Sequence, residues 1–177
     1  NLYTIILALC SMSLAFTYPY MKRFTYWPQL FLGITFNYGL ILGWTAIYAE
    51  LNVVPIIFYF GAIFWTLGYD TIYGYQDLKD DEIIGVKSTS IKFKKNPKLL
   101  IFICYLIFIL MQIISGILME FNYYYYIGTL IIFLHLLFFQ LLKLDFTNPS
   151  SCLKKFKSNN FLGLLVFINI LVNKIYI

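Results

Sequence analysis

Asp70, Asp77 and Asp81 have the residue type and spacing in this sequence best suited to chemistry. They belong to the run Asp70-Thr-Ile-Tyr-Gly-Tyr-Gln-Asp77-Leu-Lys-Asp80-Asp81-Glu82, thirteen positions that hold five of the chain's eight carboxylates. The stretch before it, Pro55 to Gly68, carries no charge at all. Carboxylates that begin where an apolar run ends are costly to bury unless a cation neutralises them. If one helix continues to Asp81, steps of about 100° put Asp77 at about 340° and Asp81 at about 20° from Asp70, a single stripe, with Asp80 roughly 80° away. Gly74 falls on that stripe and leaves room for a bulky group to approach the backbone. Such a cluster suits a hard divalent cation, and Mg²⁺ in particular is commonly held by one or two carboxylates together with substrate phosphates. The plainer alternative is a solvated, acidic helix end.

The elements that must position these residues are membrane spans. Of 177 residues, 61% are hydrophobic and only 12% charged, and the mean hydropathy is +0.78, far from a soluble domain. Six apolar stretches approach the roughly 20 residues a helix needs to cross a bilayer: Leu2 to Tyr18, Leu30 to Ala49, Val54 to Tyr69, Leu99 to Met119, Tyr124 to Leu142 and Phe161 to Tyr176. No alternation of the outer-membrane strand type recurs. Twelve of the thirteen basic residues fall after the first, third and fifth spans, while the opposite loops carry Glu50 and Glu120 and no Lys or Arg. The acidic run therefore emerges on the basic, inner face. Topology explains the net charge of +5, which requires no nucleic-acid partner. Three cysteines, two of them inside spans, do not make a disulfide framework. No secretory signal precedes the first span. The sequence opens at Asn1, already within that span, so further sequence upstream is expected.

Other residues could serve the same face. Lys22 and Arg23 lie in Tyr18-Pro19-Tyr-Met-Lys22-Arg23-Phe-Thr-Tyr-Trp-Pro28-Gln29, an interfacial segment on the Asp side, and are suited to a phosphate or carboxylate. Asn37, polar amid apolar residues, serves either as packing glue or as a substrate contact, and Gly39 with Gly43 reads as a close-packing pair. Lys87, in Gly85-Val-Lys87-Ser88-Thr89-Ser90, is the nearest to the carboxylates among the lysines beyond the acidic run; the basic run after it faces anionic lipid. The lone His135 is expected to be a satisfied structural residue. Cys152 to Asn160 reads as an inner loop, with Asn159 capping the last helix. No internal repeat divides the chain, so one domain is expected. Charges gathered at one membrane face argue against a transporter with a midplane site.

Taken together, the Tyr18 to Gln29 segment, Tyr69-Asp70-Thr-Ile-Tyr73-Gly-Tyr-Gln-Asp77-Leu-Lys-Asp80-Asp81 and Gly85-Val-Lys87-Ser88-Thr89 closely resemble the UbiA superfamily of intramembrane prenyltransferases, specifically its 4-hydroxybenzoate polyprenyltransferase subfamily. The resemblance runs over essentially the whole chain. It implies an all-α, polytopic transmembrane bundle, with six spans here of an expected nine. Residues 1–177 would then be a single transmembrane prenyltransferase domain lacking three N-terminal helices and a first, Asn-Asp-x-x-Asp type motif. It implies Mg²⁺ at Asp70, Asp77 and Asp81, and a donor diphosphate at Lys22. Arg23 is the candidate for the acceptor's carboxylate, with Asn37, Tyr73 and Lys87 as further substrate contacts. The implied reaction moves a polyprenyl group from polyprenyl diphosphate to the ring of 4-hydroxybenzoate, giving a ubiquinone precursor. The implied location is a bacterial plasma membrane or a mitochondrial inner membrane. The alternatives are another acceptor, such as a haem, naphthoate or tocopherol precursor, and an inactive chain or one completed by a separate N-terminal half.

Overall fold

The structure, a computed structural model, describes residues 1–175. Tyr176, the end of the sixth expected span, lies outside the described residues. Helices α1 (Leu2–Thr17), α2 (Met21–Phe24), α3 (Pro28–Phe36), α4 (Tyr38–Tyr48) and α5 (Val53–Gly74) are followed by the short α6 (Leu78–Ile84) and α7 (Thr89–Lys92). Then come α8 (Pro97–Leu118), α9 (Tyr123–Leu134) with its π-helical continuation His135–Leu142, and α10 (Pro149–Ile175). Among the described residues there is no strand, and six helical segments are long and apolar enough to cross a membrane. The chain is an all-α, multi-pass integral membrane protein. Its three cysteines are free.

Local chemistry sets many of the boundaries. The side chains of Asn1, Asn52 and Asn122 accept from the Thr4, Val54 and Tyr124 amides at 2.9, 3.1 and 3.0 Å, capping α1, α5 and α9. Pro28 and Pro97 sit at the first turn of α3 and α8, where a missing N–H leaves no bond unmade. Left-handed residues close the outer ends of α4 (Ala49, φ 57°) and α8 (Glu120, φ 55°), and Gly85 (φ 77°) closes α6.

The central element is α5, which packs against α3, α4, α7, α8 and α10. Its contact with α8 is close because of glycine. A Cβ at Gly68 would stand 2.6 Å from the Tyr105 ring, and one at Gly61 would stand 2.8 Å from Met111. Around this seam Ile72, Ile101, Tyr105, Phe108, Leu136 and Leu162 form the buried core. In contrast, α1 buries no side chain and is tied to α4 at its end, where Asn1 Nδ2 donates to the Thr45 carbonyl at 2.8 Å.

Several expectations are corrected. Helix α5 does not run on to Asp81. It ends at Gly74, where Ser90 Oγ takes the Thr71 carbonyl and the Tyr75 amide bonds Ile72 instead, and the chain turns through Tyr75 to Asp77 before α6 begins. The Ser90 hydroxyl occupies the space where a Cβ of residue 74 would lie. The group that approaches Gly74 is thus part of the chain itself. The last span starts at Pro149, so Cys152 to Asn160 is helix rather than loop, and Asn159 lies in mid-helix. Within it Ser158 and Asn159 meet Gln140 and Trp65 across the bundle. Gly39 and Gly43 meet nothing within 4 Å and are not a packing pair within this chain. His135 is not satisfied: its Nε2 is buried without a hydrogen-bond partner among the described residues, and its ring rests on Phe139 at 5.1 Å.

Gly68→Ala is expected to cost about 1–3 kcal/mol by overpacking, read as a lower melting temperature in detergent. Gly43→Ala, with open space around it, serves as the control and leaves melting unchanged.

Candidate functional site

Three elements bring the acidic residues together despite the break in α5. Asp70 comes from the last turn of α5, Asp77 from the turn that follows, and Asp81 from the first turn of α6. The continuation of α1 into α2 supplies Lys22, and the start of α3 supplies Gln29. Lys22, Gln29, Asp70, Tyr73, Asp77 and Asp81 line one cavity of about 230 Å³. The stripe inferred from helical spacing therefore survives as a shared lining, because the three-residue turn returns Asp77 and Asp81 to the face that Asp70 occupies.

Among the described residues the side chains of Asp70, Asp77, Asp81 and Lys22 make no hydrogen bond and no ion pair; the one ion pair is Lys94 to Glu82 at 2.7 Å, away from the cavity. No three His, Cys, Asp or Glu side chains among those residues converge tightly enough to cage an ion. Carboxylates set around a cavity without converging match a hard cation that keeps waters and phosphate oxygens in its shell. Partial desolvation raises the Asp81 carboxyl above the ordinary carboxylate range; Lys22 opposes that shift, while Asp77 and Asp80 add to it.

Asp70 and Leu32 also line a second cavity of about 450 Å³. Its other walls are Trp65 and Tyr69 of α5, Asn37 at the α3–α4 junction, and Phe156, Asn159 and Gly163 of α10. The two spaces meet at Asp70, one polar and one aromatic. Trp65 stacks on Phe108 at 5.1 Å and 16°, and Tyr69 and Tyr73 both pack on Phe156, at 5.7 and 4.7 Å. A chain of buried hydrogen bonds fixes the Trp65 ring. Its Nε1 donates to Asn159 Oδ1 at 2.9 Å, Gln140 Nε2 donates to the same oxygen at 3.0 Å, and Tyr105 Oη donates to Gln140 Oε1 at 2.5 Å.

The remaining expected residues are placed as follows. Asn37 lines the aromatic cavity, but its Nδ2 donates to the Gly33 carbonyl at 2.8 Å and to Thr66 Oγ1 at 2.7 Å, so packing glue and cavity wall are both served. Arg23 is exposed and lines neither cavity. Lys87 also lies outside both; its amide donates to the Lys22 carbonyl at 2.8 Å and its Nζ to the Phe24 carbonyl at 3.3 Å. The sequence pattern gave no role to Gln29, Trp65 and Phe156, and gave Asn159 only that of a helix cap. The only signals were a glutamine beside Pro28 at the mouth of a span and an asparagine pair, Asn159 and Asn160, in an apolar neighbourhood.

A six-span helical bundle whose inner end joins a carboxylate- and lysine-lined cavity to an aromatic chamber is built to hold an anionic head beside an apolar body. The chain belongs to the UbiA prenyltransferase family, whose model matches residues 1–170. It is 42% identical over 178 residues to the mitochondrial 4-hydroxybenzoate polyprenyltransferase of Dictyostelium discoideum, an alignment covering 99% of this chain and 38% of that protein. The mitochondrial 4-hydroxybenzoate polyprenyltransferases of Homo sapiens (40% over 177 residues; 99% of this chain, 47% of that protein) and Arabidopsis thaliana (38% over 177 residues; 98% and 43%) are similar to it as well. The chain thus spans less than half the length of these curated relatives. No solved structure matches it significantly.

Asn159→Leu preserves bulk but leaves the Trp65 indole N–H without its acceptor and the Gln140 amide with Ser158 Oγ alone, at an expected cost of about 1–3 kcal/mol. Thermal melting in detergent measures the loss, and the tryptophan emission maximum reports the freed indole.

Proposed function

We propose that residues 1–177 are the carboxylate-bearing part of a single-domain 4-hydroxybenzoate polyprenyltransferase of the mitochondrial inner membrane. The remaining length of the relatives would supply the other half of the cation site. The observation that carries this reading is the junction at Asp70, where the cavity of Lys22, Asp77 and Asp81 adjoins the chamber of Trp65, Tyr69 and Phe156. Polyprenyl diphosphate has the matching two-part chemistry, a multiply charged head and an apolar tail, and the relatives' names supply the acceptor.

Asp70, Asp77 and Asp81 are the residues that would hold Mg²⁺, which when bound supplies positive charge against the diphosphate as the allylic C–O bond ionises. Lys22 places a cation at the same anion. Arg23 and Lys87, at the rim beside Lys22, add positive potential that draws anions toward the cavity. The faces of Trp65, Tyr69 and Phe156 offer negative quadrupoles to an allylic cation and exclude the water that would quench it. Tyr73, packed on Phe156, forms part of the wall between the polar and aromatic spaces. The ring carbon ortho to the hydroxyl of 4-hydroxybenzoate then forms the new C–C bond with the allylic carbon and loses its proton, giving 3-polyprenyl-4-hydroxybenzoate and diphosphate.

The test is reconstitution of the full-length protein carrying this chain in liposomes, with labelled polyprenyl diphosphate, Mg²⁺ and a panel of acceptors. Prenylation of 4-hydroxybenzoate is expected; a haem, naphthoate or tocopherol precursor taken in its place would reassign the acceptor, and no product with any acceptor would favour an inactive chain. Asp70→Ala and Asp77→Ala are each expected to lower turnover by about 100-fold or more while leaving membrane insertion intact. Because the Asp81 carboxyl is held above its ordinary range, it takes up its proton earlier on acidification than a free aspartate. Mg²⁺ affinity is therefore expected to fall on acidification at a higher pH than a free aspartate would give, and to fall less steeply in Asp81→Asn.

A further inference from the structure

Gln29 is held in a way that packing alone does not explain. It is the second residue of α3 and is 5% exposed, yet it lines the carboxylate cavity. Its Oε1 accepts the Thr89 amide at 3.0 Å. Only an oxygen can accept from that N–H, so the carbonyl of the side chain points to Thr89 and the NH₂ points away. Thr89 cannot shift to release it: its Oγ1 is bonded to Thr71 Oγ1 at 2.7 Å, and Ser90 Oγ donates to the Thr71 carbonyl at 2.9 Å. The freed end, Nε2, lies beside Gly74, 3.5 Å from where a Cβ would stand, between Asp70 and Asp77 in the chain. It donates to no described residue.

We propose that Gln29 is a binding residue for the diphosphate of the prenyl donor, with its pinned amide donating to a non-bridging phosphate oxygen; this rests on the diphosphate reading given above. An amide nitrogen does not ligate a hard cation, and the oxygen that could do so is taken by Thr89. What the site lacks is therefore an acceptor for that amide, which belongs to the lining of the cavity. The oxygen-rich group that belongs beside Lys22 and the cation-binding carboxylates is the diphosphate. A neutral donor there adds direction without changing the charge that the carboxylates and Lys22 establish.

In the full-length protein, Gln29→Glu keeps the shape and an oxygen for Thr89 but removes the donor. The dissociation constant for a polyprenyl thiolodiphosphate, which resists ionisation, is measured with Mg²⁺ in detergent, alongside donor and acceptor KM and the melting temperature. The expected result is binding weakened about 10-fold or more, as for the loss of a hydrogen bond to a charged group. The donor KM should rise in parallel, with the acceptor KM and the melting temperature unchanged. Gln29→Met, which removes the donor without adding charge, should shift binding in the same direction by a smaller factor. Wild-type affinity in both variants, or a change in acceptor KM with donor KM unmoved, overturns the assignment of Gln29 alone. A wild-type protein that binds no thiolodiphosphate overturns the diphosphate reading and this one with it.

Discussion

A helix that crosses a bilayer has no water in which to leave an unpaired polar group, and α5 carries several. Thr66 accepts from Asn37, Thr71 is bonded to Thr89 and its carbonyl takes Ser90, and the Trp65 indole is met by Asn159. These bonds tie the α3–α4 junction, α7 and α10 to α5, while Gly61 and Gly68 let α8 close on it. Asp70 is the one charged residue of the span, and the elements that satisfy its polar neighbours are the same ones that enclose it.

The requirement for polar satisfaction also accounts for the shape of the inner end. Ser90 can reach the Thr71 carbonyl only where α5 has no side chain in the way, and Gly74 provides that gap. The same contact ends the helix and sends the chain into the turn that carries Asp77. Lys87 continues the tie through its amide to the Lys22 carbonyl, so the stretch that follows α6, which bears Asp81, is anchored to α2, which bears Lys22. Positive and negative partners of the cavity are thereby set by a single stretch, Lys87 to Ser90.

Much of this was legible in the sequence because hydropathy and charge are properties of single residues summed along a line. The six spans, the inner face and the carboxylates of Asp70, Asp77 and Asp81 could be read from such patterns. The break after Gly74 could not, since it depends on Ser90 arriving from sixteen positions away. Nor could the helix through Cys152 to Asn160, whose Ser158 and Asn159 find Gln140 and Trp65 across the bundle. Gln29 and Asn159 stood in plain view as polar residues near apolar runs. Their roles stayed hidden because a partner such as Thr89, sixty positions on, has no mark in the local pattern.

That the two cavities share Asp70 has a bearing on how the proposed reaction would finish. Its two products differ as sharply in polarity as the two spaces do. Diphosphate would lie on the side of Lys22, and the prenylated ring would lie among Trp65, Tyr69 and Phe156. Each product of the proposed reaction would then rest in a space of its own polarity, and the two would part at Asp70.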